Sequence, residues 1–117
     1  MRKVLSVALL AGLLATLVAA GPALSKRKAV EVDDNYFVRE GAPPTVTVNR
    51  GDTVKWEWEG SNPHDVTVKK GPVKFNSKTK TSGTFAKKMR RAGTYRIVCT
   101  VHAPDMRMTL KVRKPQP

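Results

Sequence analysis

Residues 54–59 read Val-Lys-Trp-Glu-Trp-Glu, with Val54, Trp56 and Trp58 at one parity and Lys55, Glu57 and Glu59 at the other. A strict period of two belongs to a strand with one face in a core and one in water. Two tryptophans on the inner face need a second layer to cover them. The alternation recurs in "TVTV" (45–48), and β-rich runs follow at 64–68, 84–89, 94–101 and 106–112. The last of these sets Met106, Met108, Leu110 and Val112 on one face. Between the runs lie turn clusters: "NRGD" (49–52), "GSNP" (60–63), Lys69-Lys70-Gly71-Pro72 and "RRAG" (90–93). Residues 73–83 read as an exposed loop anchored by Phe75, and no helix pattern of useful length appears among these segments. Short strands at this spacing predict an all-β chain, an antiparallel β-sandwich or barrel. Lys26-Arg27-Lys28 reads as a mobile N-terminal arm.

The first 25 residues are of another kind. Arg2 and Lys3 precede an uncharged apolar stretch, Val4 to Ala20, and small residues follow. This is the pattern of an export signal, cut after Ala20 or after Ser25. The 17 apolar residues fall short of the roughly 20 that a spanning helix needs, which argues against a retained anchor. No cysteine follows the stretch, so a lipid-linked N-terminus is excluded. Residues 26–117 then form one domain in a periplasmic, extracellular or cell-envelope setting. A domain of that size has a usable core but little margin, and its one cysteine rules out an internal disulfide.

Charge is unevenly spread. The formal net charge is +13, or +11 once Arg2 and Lys3 leave with the signal. Residues 26–60 are near neutral, whereas residues 61–117 carry 14 basic side chains and two acidic ones, Asp65 and Asp105. Such an excess favours an anionic partner or surface. Lys69, Lys70, Lys74, Lys78 and Lys80 are expected in exposed loops and turns.

The stretch 99–106, "CTVHAPDM", holds that single cysteine. An unpaired thiol in an oxidising compartment is a liability unless buried, dimerised or bound to metal. Singly, Cys99 reads as a small core residue and Met106 and Met108 as packing. Together, Cys99, His102 and Met106, with His64 35 residues upstream, form a set with a definite preference. Two imidazoles, a thiolate and a weak thioether are the donors of a blue-copper electron-transfer site. A zinc site on His64, Cys99 and His102 is the nearest metal rival. Met108 competes with Met106 for the fourth position but lies about 6–7 Å further along a strand.

The segments "TVTVNRGDTVKWEWEG", "SNPHDVTV" and "AGTYRIVCTVHAPDMRMTLKV" resemble the cupredoxins, the small blue copper proteins of the plastocyanin/azurin family. The resemblance spans roughly residues 30–113 and is nearest to plastocyanin- and amicyanin-like members. It implies a Greek-key β-sandwich, one copper ion on His64, Cys99, His102 and Met106, and one-electron transfer between larger redox proteins. Three residues separate His102 from Met106, where plastocyanins have four and amicyanins two. Asp65 stands where the family often has an asparagine that braces the ligand loop.

The function expected is a monomeric electron carrier, not an enzyme, meeting an acidic redox partner and able to associate with an anionic envelope surface. Copper scavenging or delivery at the envelope would use the same ligands. A metal-free module binding nucleic acid is disfavoured, because seven aromatics, several at core spacing, leave few for base stacking.

Overall fold

The computed structural model describes residues 24–115; the export-signal reading of residues 1–25 lies almost wholly outside them. Eight strands form two four-stranded sheets: β1 Arg27–Asp33, β2 Tyr36–Phe37, β3 Thr45–Asn49, β4 Thr53–Trp58, β5 Thr67–Lys70, β6 Thr84–Lys88, β7 Gly93–Val98 and β8 Arg107–Arg113. The first sheet has the order β2-β1-β4-β6 and the second β3-β8-β7-β5.

The alternation in the sequence becomes the burial pattern. In β4, Val54, Trp56 and Trp58 are buried while Thr53, Lys55 and Glu57 face out. In β8, Met108, Leu110 and Val112 point inward. The inner faces of the two sheets share one core, in which Trp56, Tyr95, Ile97 and Leu110 are completely buried. Phe75 and Phe85 pack against Trp56, with ring centroids 6.1 and 5.8 Å from it. Phe75 is thus the anchor of the long 73–83 connection, as its sequence context implied.

The sandwich is mixed rather than purely antiparallel. Strands β4/β6, β5/β7 and β7/β8 pair antiparallel, but β1/β4 and β3/β8 pair parallel. Parallel pairing needs a long crossover, and here each crossover passes through the other sheet.

The N-terminal arm is a correction. Arg27 and Lys28 open β1 and pair with Thr53 and Val54 of β4. The Lys26 N–H donates to the buried Asp52 at 2.9 Å. Three consecutive basic residues look like a solvated tail, but these are held through their backbone, which composition does not reveal. The strand expected at 64–68 also shifts: His64 forms an isolated bridge with Lys80, and β5 begins at Thr67. Lys69 and Lys70 consequently end a strand rather than form a turn.

Candidate metal centre

Strand β7 ends at Val98 and β8 begins at Arg107, so Cys99 to Met106 make the loop that closes this hairpin at one end of the sandwich. The loop is tied across its base: the Cys99 N–H donates to the Met106 carbonyl at 3.0 Å. Within it, the His102 N–H donates to the Cys99 carbonyl at 3.2 Å, and the Met106 N–H to the His102 carbonyl at 3.3 Å. These bonds hold Cys99, His102 and Met106 together through the backbone.

His64 arrives from the connection before β5. Two backbone bonds of 2.9 Å, His64 N–H to the Lys80 carbonyl and Lys80 N–H to the His64 carbonyl, pin it there. Its ring is fully buried, as is Cys99, and His102 is half-buried. The Cys99 Sγ lies 3.8 Å from Nδ1 of His64 and 3.7 Å from Nδ1 of His102. Donor atoms of the three residues all lie within 4.8 Å of one another.

The spacing fits a shared metal. With metal–sulfur near 2.3 Å and metal–nitrogen near 2.0 Å, a trigonal arrangement puts sulfur and nitrogen about 3.7 Å apart. The distances from Cys99 Sγ to both imidazoles match that value.

Met106 is also fully buried, on the residue that closes the loop. Met108 is nearly so, but sits one rung into the ladder opposite Ile97, between the sheets. The two methionines therefore share a parity and differ in depth.

Two carboxylates support the cluster, of which only Asp65 is singled out by its place in the sequence. Asp65, buried beside His64, accepts from the Thr100 N–H at 2.9 Å, from the Thr100 hydroxyl, and from Thr67 Oγ1 at 3.0 Å. It thereby ties the residue after His64 to the residue after Cys99. The other is Asp34, in the turn between β1 and β2. Its Oδ1 lies 2.9 Å from Nε2 of His64. A carboxylate at that distance accepts a hydrogen bond from the Nε2–H, which leaves Nδ1 as the ring nitrogen facing Cys99. Asp34 also accepts from the Ser61 and Asn62 N–H groups, each at 2.9 Å. The Ser61 N–H, the His64 ring and the Asn62 N–H hold the Asp34 carboxyl well below the usual carboxylate range.

Gly60 makes that approach possible. A Cβ there would lie 2.3 Å from Asp34 Oδ1. In the sequence, "GSNP" announces only a turn, and nothing local links it to Asp34, some 27 residues away.

Residues 27–113 match the copper binding proteins of the plastocyanin/azurin family. The chain belongs to this family. The cupredoxin fold is likewise found in solved structures. An oxidised proline-to-alanine variant of amicyanin is 26% identical over 74% of this chain and 82% of its own, with a TM-score of 0.63. The Cu(I) form of a methionine-to-alanine variant of amicyanin is 25% identical over 81% and 88%, also with a TM-score of 0.63. A copper-containing nitrite reductase from Thermus scotoductus shares the fold at 20% identity, with a TM-score of 0.62 over 83% of this chain and 24% of its own. No curated protein matches the chain by sequence. This cupredoxin thus presents a His-Cys-His cluster where the sequence placed it, at the loop end of a β-sandwich.

Proposed function

We propose that the chain is a type 1 (blue) copper protein that carries single electrons between redox proteins outside the cytoplasm. One observation carries the reading: the buried Nδ1 of His64, Sγ of Cys99 and Nδ1 of His102 are spaced as ligands of one small metal. These three residues would hold one copper ion, with Met106 as a weak fourth donor. Thiolate, imidazole and thioether together favour copper over zinc. Bound copper supplies a one-electron couple between Cu(I) and Cu(II).

The chain's own residues keep that exchange cheap in motion. Asp34 and the Lys80 bridge fix His64, and Asp65 fixes the segment after Cys99. Ligands anchored on strand ends and a closed loop move little when the charge of the site changes. His102 provides the route outward. It is half-buried between exposed neighbours, with Val101 48% exposed and Ala103 and Pro104 also at the surface. This small apolar rim excludes water at the point where a partner would touch.

Residues 1–25 would direct export, leaving 26–117 as the working protein in the periplasm, cell envelope or medium. The positive charge of that segment supports an acidic redox partner. Voltammetry of the copper-loaded protein tests the carrier role. A reversible one-electron wave, with copper retained against excess chelator in both oxidation states, is the expected result. Copper lost to the chelator on each reduction would place the protein in copper delivery instead.

A further inference from the structure

The two sheets present electrically different outer faces. On the first sheet, Arg27, Lys55 and Lys88 are offset by Glu31, Asp33 and Glu57. On the second, the outward positions carry Lys69, Lys70, Arg96, Arg107, Lys111 and Arg113, with threonines and no acidic residue between them. Among the described residues none of these six forms a salt bridge. Strand pairing forces like charges together: Lys70 lies directly opposite Arg96. Such an arrangement is destabilising for the isolated sheet.

The face runs into the metal end. Arg107 directly follows Met106, and Val98, its partner across the ladder, directly precedes Cys99. Lys69, Arg96 and Arg107 line a surface concavity of about 420 Å³ there. From Arg107 to Arg113 the strand carries the charge a further ~20 Å away from the metal. On another side of the same end, Asp34, Glu40 and Asp105 line a separate, acidic depression.

We propose that the outer face of the β3-β8-β7-β5 sheet, centred on Lys69, Arg96 and Arg107, is the docking surface for an acidic face of the electron-exchange partner protein. The proposal rests on the copper-carrier reading and adds to it where the partner sits. Adjacency decides the occupant. A polymer or membrane needs only positive charge somewhere on the molecule. A redox partner needs it beside the metal, where it gathers the partner's carboxylates and sets the His102 rim against it. The acidic depression repels that same partner from the wrong side, so the charge pattern orients as well as attracts.

Two triple variants with equal change in net charge test the surface: Lys69→Glu/Arg96→Glu/Arg107→Glu, and Arg27→Glu/Lys55→Glu/Lys88→Glu on the opposite face. A glutamine version of each, with half the charge change, covers a failure to fold. Poly-L-glutamate is the acidic polypeptide probe, phosphatidylglycerol vesicles are the membrane probe, and ferricyanide is the anionic oxidant of the Cu(I) protein. The first triple is expected to weaken poly-L-glutamate binding and slow oxidation by ferricyanide about tenfold or more, within the range that electrostatic steering supplies. The second is expected to change either by less than about threefold. Wild-type binding should fall steeply between about 0.01 M and about 0.15 M salt, as the Debye length shrinks from ~30 to ~8 Å. Equal losses in both triples would overturn the proposal, leaving net charge as the whole effect. Vesicle binding tighter than poly-L-glutamate binding would also overturn it, assigning the face to the envelope surface. The two readings fail separately. A protein that stays colourless with copper overturns the carrier function, whereas a blue protein whose triples behave alike overturns only the docking face.

Discussion

At the residue scale, the two methionines differ in where they sit. Met106 sits on the loop closure beside Cys99, and Met108 packs opposite Ile97. Met106→Leu is therefore expected to keep the copper colour and raise the reduction potential, because a donor that helps Cu(II) is lost. Met108→Leu is a volume-conserving core swap that should cost under about 1.5 kcal/mol and leave the potential nearly unchanged. Voltammetry and thermal melts of the two variants decide the matter; exchanged behaviours would move the fourth ligand to Met108. Gly60 belongs to the same scale. Gly60→Ala drives a methyl into the Asp34 carboxylate. It should weaken copper binding about 10–100-fold, the usual cost of disturbing the group that holds a ligating histidine. Competition with a chelator measures that loss, and wild-type affinity would show that Asp34 does not hold His64. The Asp34 carboxyl also has a pH signature. Its folded pKa is depressed, so its stabilising contribution is complete above the ordinary value near 3.9. That contribution declines as pH falls below the ordinary value and is gone once pH has fallen through the lowered folded value. Carboxyl NMR of the metal-free protein should show no Asp34 step between neutral pH and about pH 3, and a step near 3.9 would contradict the bonding described.

At the scale of elements, β1 is the strand the sequence concealed. Its inward residues are only Val30 and Val32, flanked by charges, and its first three rungs pair Arg27, Lys28 and Ala29 with β4. A pattern reader sees a basic tail because backbone pairing leaves no trace in side-chain type. Deleting residues 26–28 should remove the Lys26 bond to Asp52 and expose the edge of β4 at Thr53 and Val54. A loss of about 1–3 kcal/mol is expected in urea unfolding, from backbone hydrogen bonds and an acceptor left without its donor. An unchanged midpoint would restore the picture of a loose arm. By contrast β3, β4, β6 and β8 were legible to within one residue, since each carries period-two burial bounded by turn residues, whereas the run read at 94–101 stops at Val98, where the chain leaves the sheet for the loop that holds His102. The parallel pairings were not legible, because alternation fixes which face is buried and says nothing about which strand lies alongside. The His64, Cys99 and His102 cluster was legible for a different reason: cysteine and histidine are scarce in this chain, so few groupings were open. Asp34 was missed because carboxylates are common in turns, and only the folded chain brings this one to His64.

At the scale of the molecule, the charge asymmetry seen along the sequence becomes an asymmetry between faces. The second half of the chain supplies β5, β7 and β8, so six of its 14 basic residues share one sheet face, while the balanced first half supplies most of the other sheet. Of the lysines expected in loops, Lys69 and Lys70 instead join the charged sheet face. Lys80 is drawn inward, its Nζ 5.5 Å from the Trp58 ring. The same asymmetry places Lys69, Arg96 and Arg107 near the loop that carries Cys99, His102 and Met106, with Lys111 and Arg113 further along the strand. All of this acquires its meaning from the metal, and one measurement bears on it most directly: the visible absorption spectrum of the metal-free protein titrated with Cu(II), beside the Cys99→Ser variant. The wild type is predicted to turn intensely blue, through charge transfer from the Cys99 thiolate, and to saturate at one copper per chain, while the variant stays pale. A wild-type complex that binds copper without that colour, or a variant that keeps it, would contradict the site built from His64, Cys99, His102 and Met106.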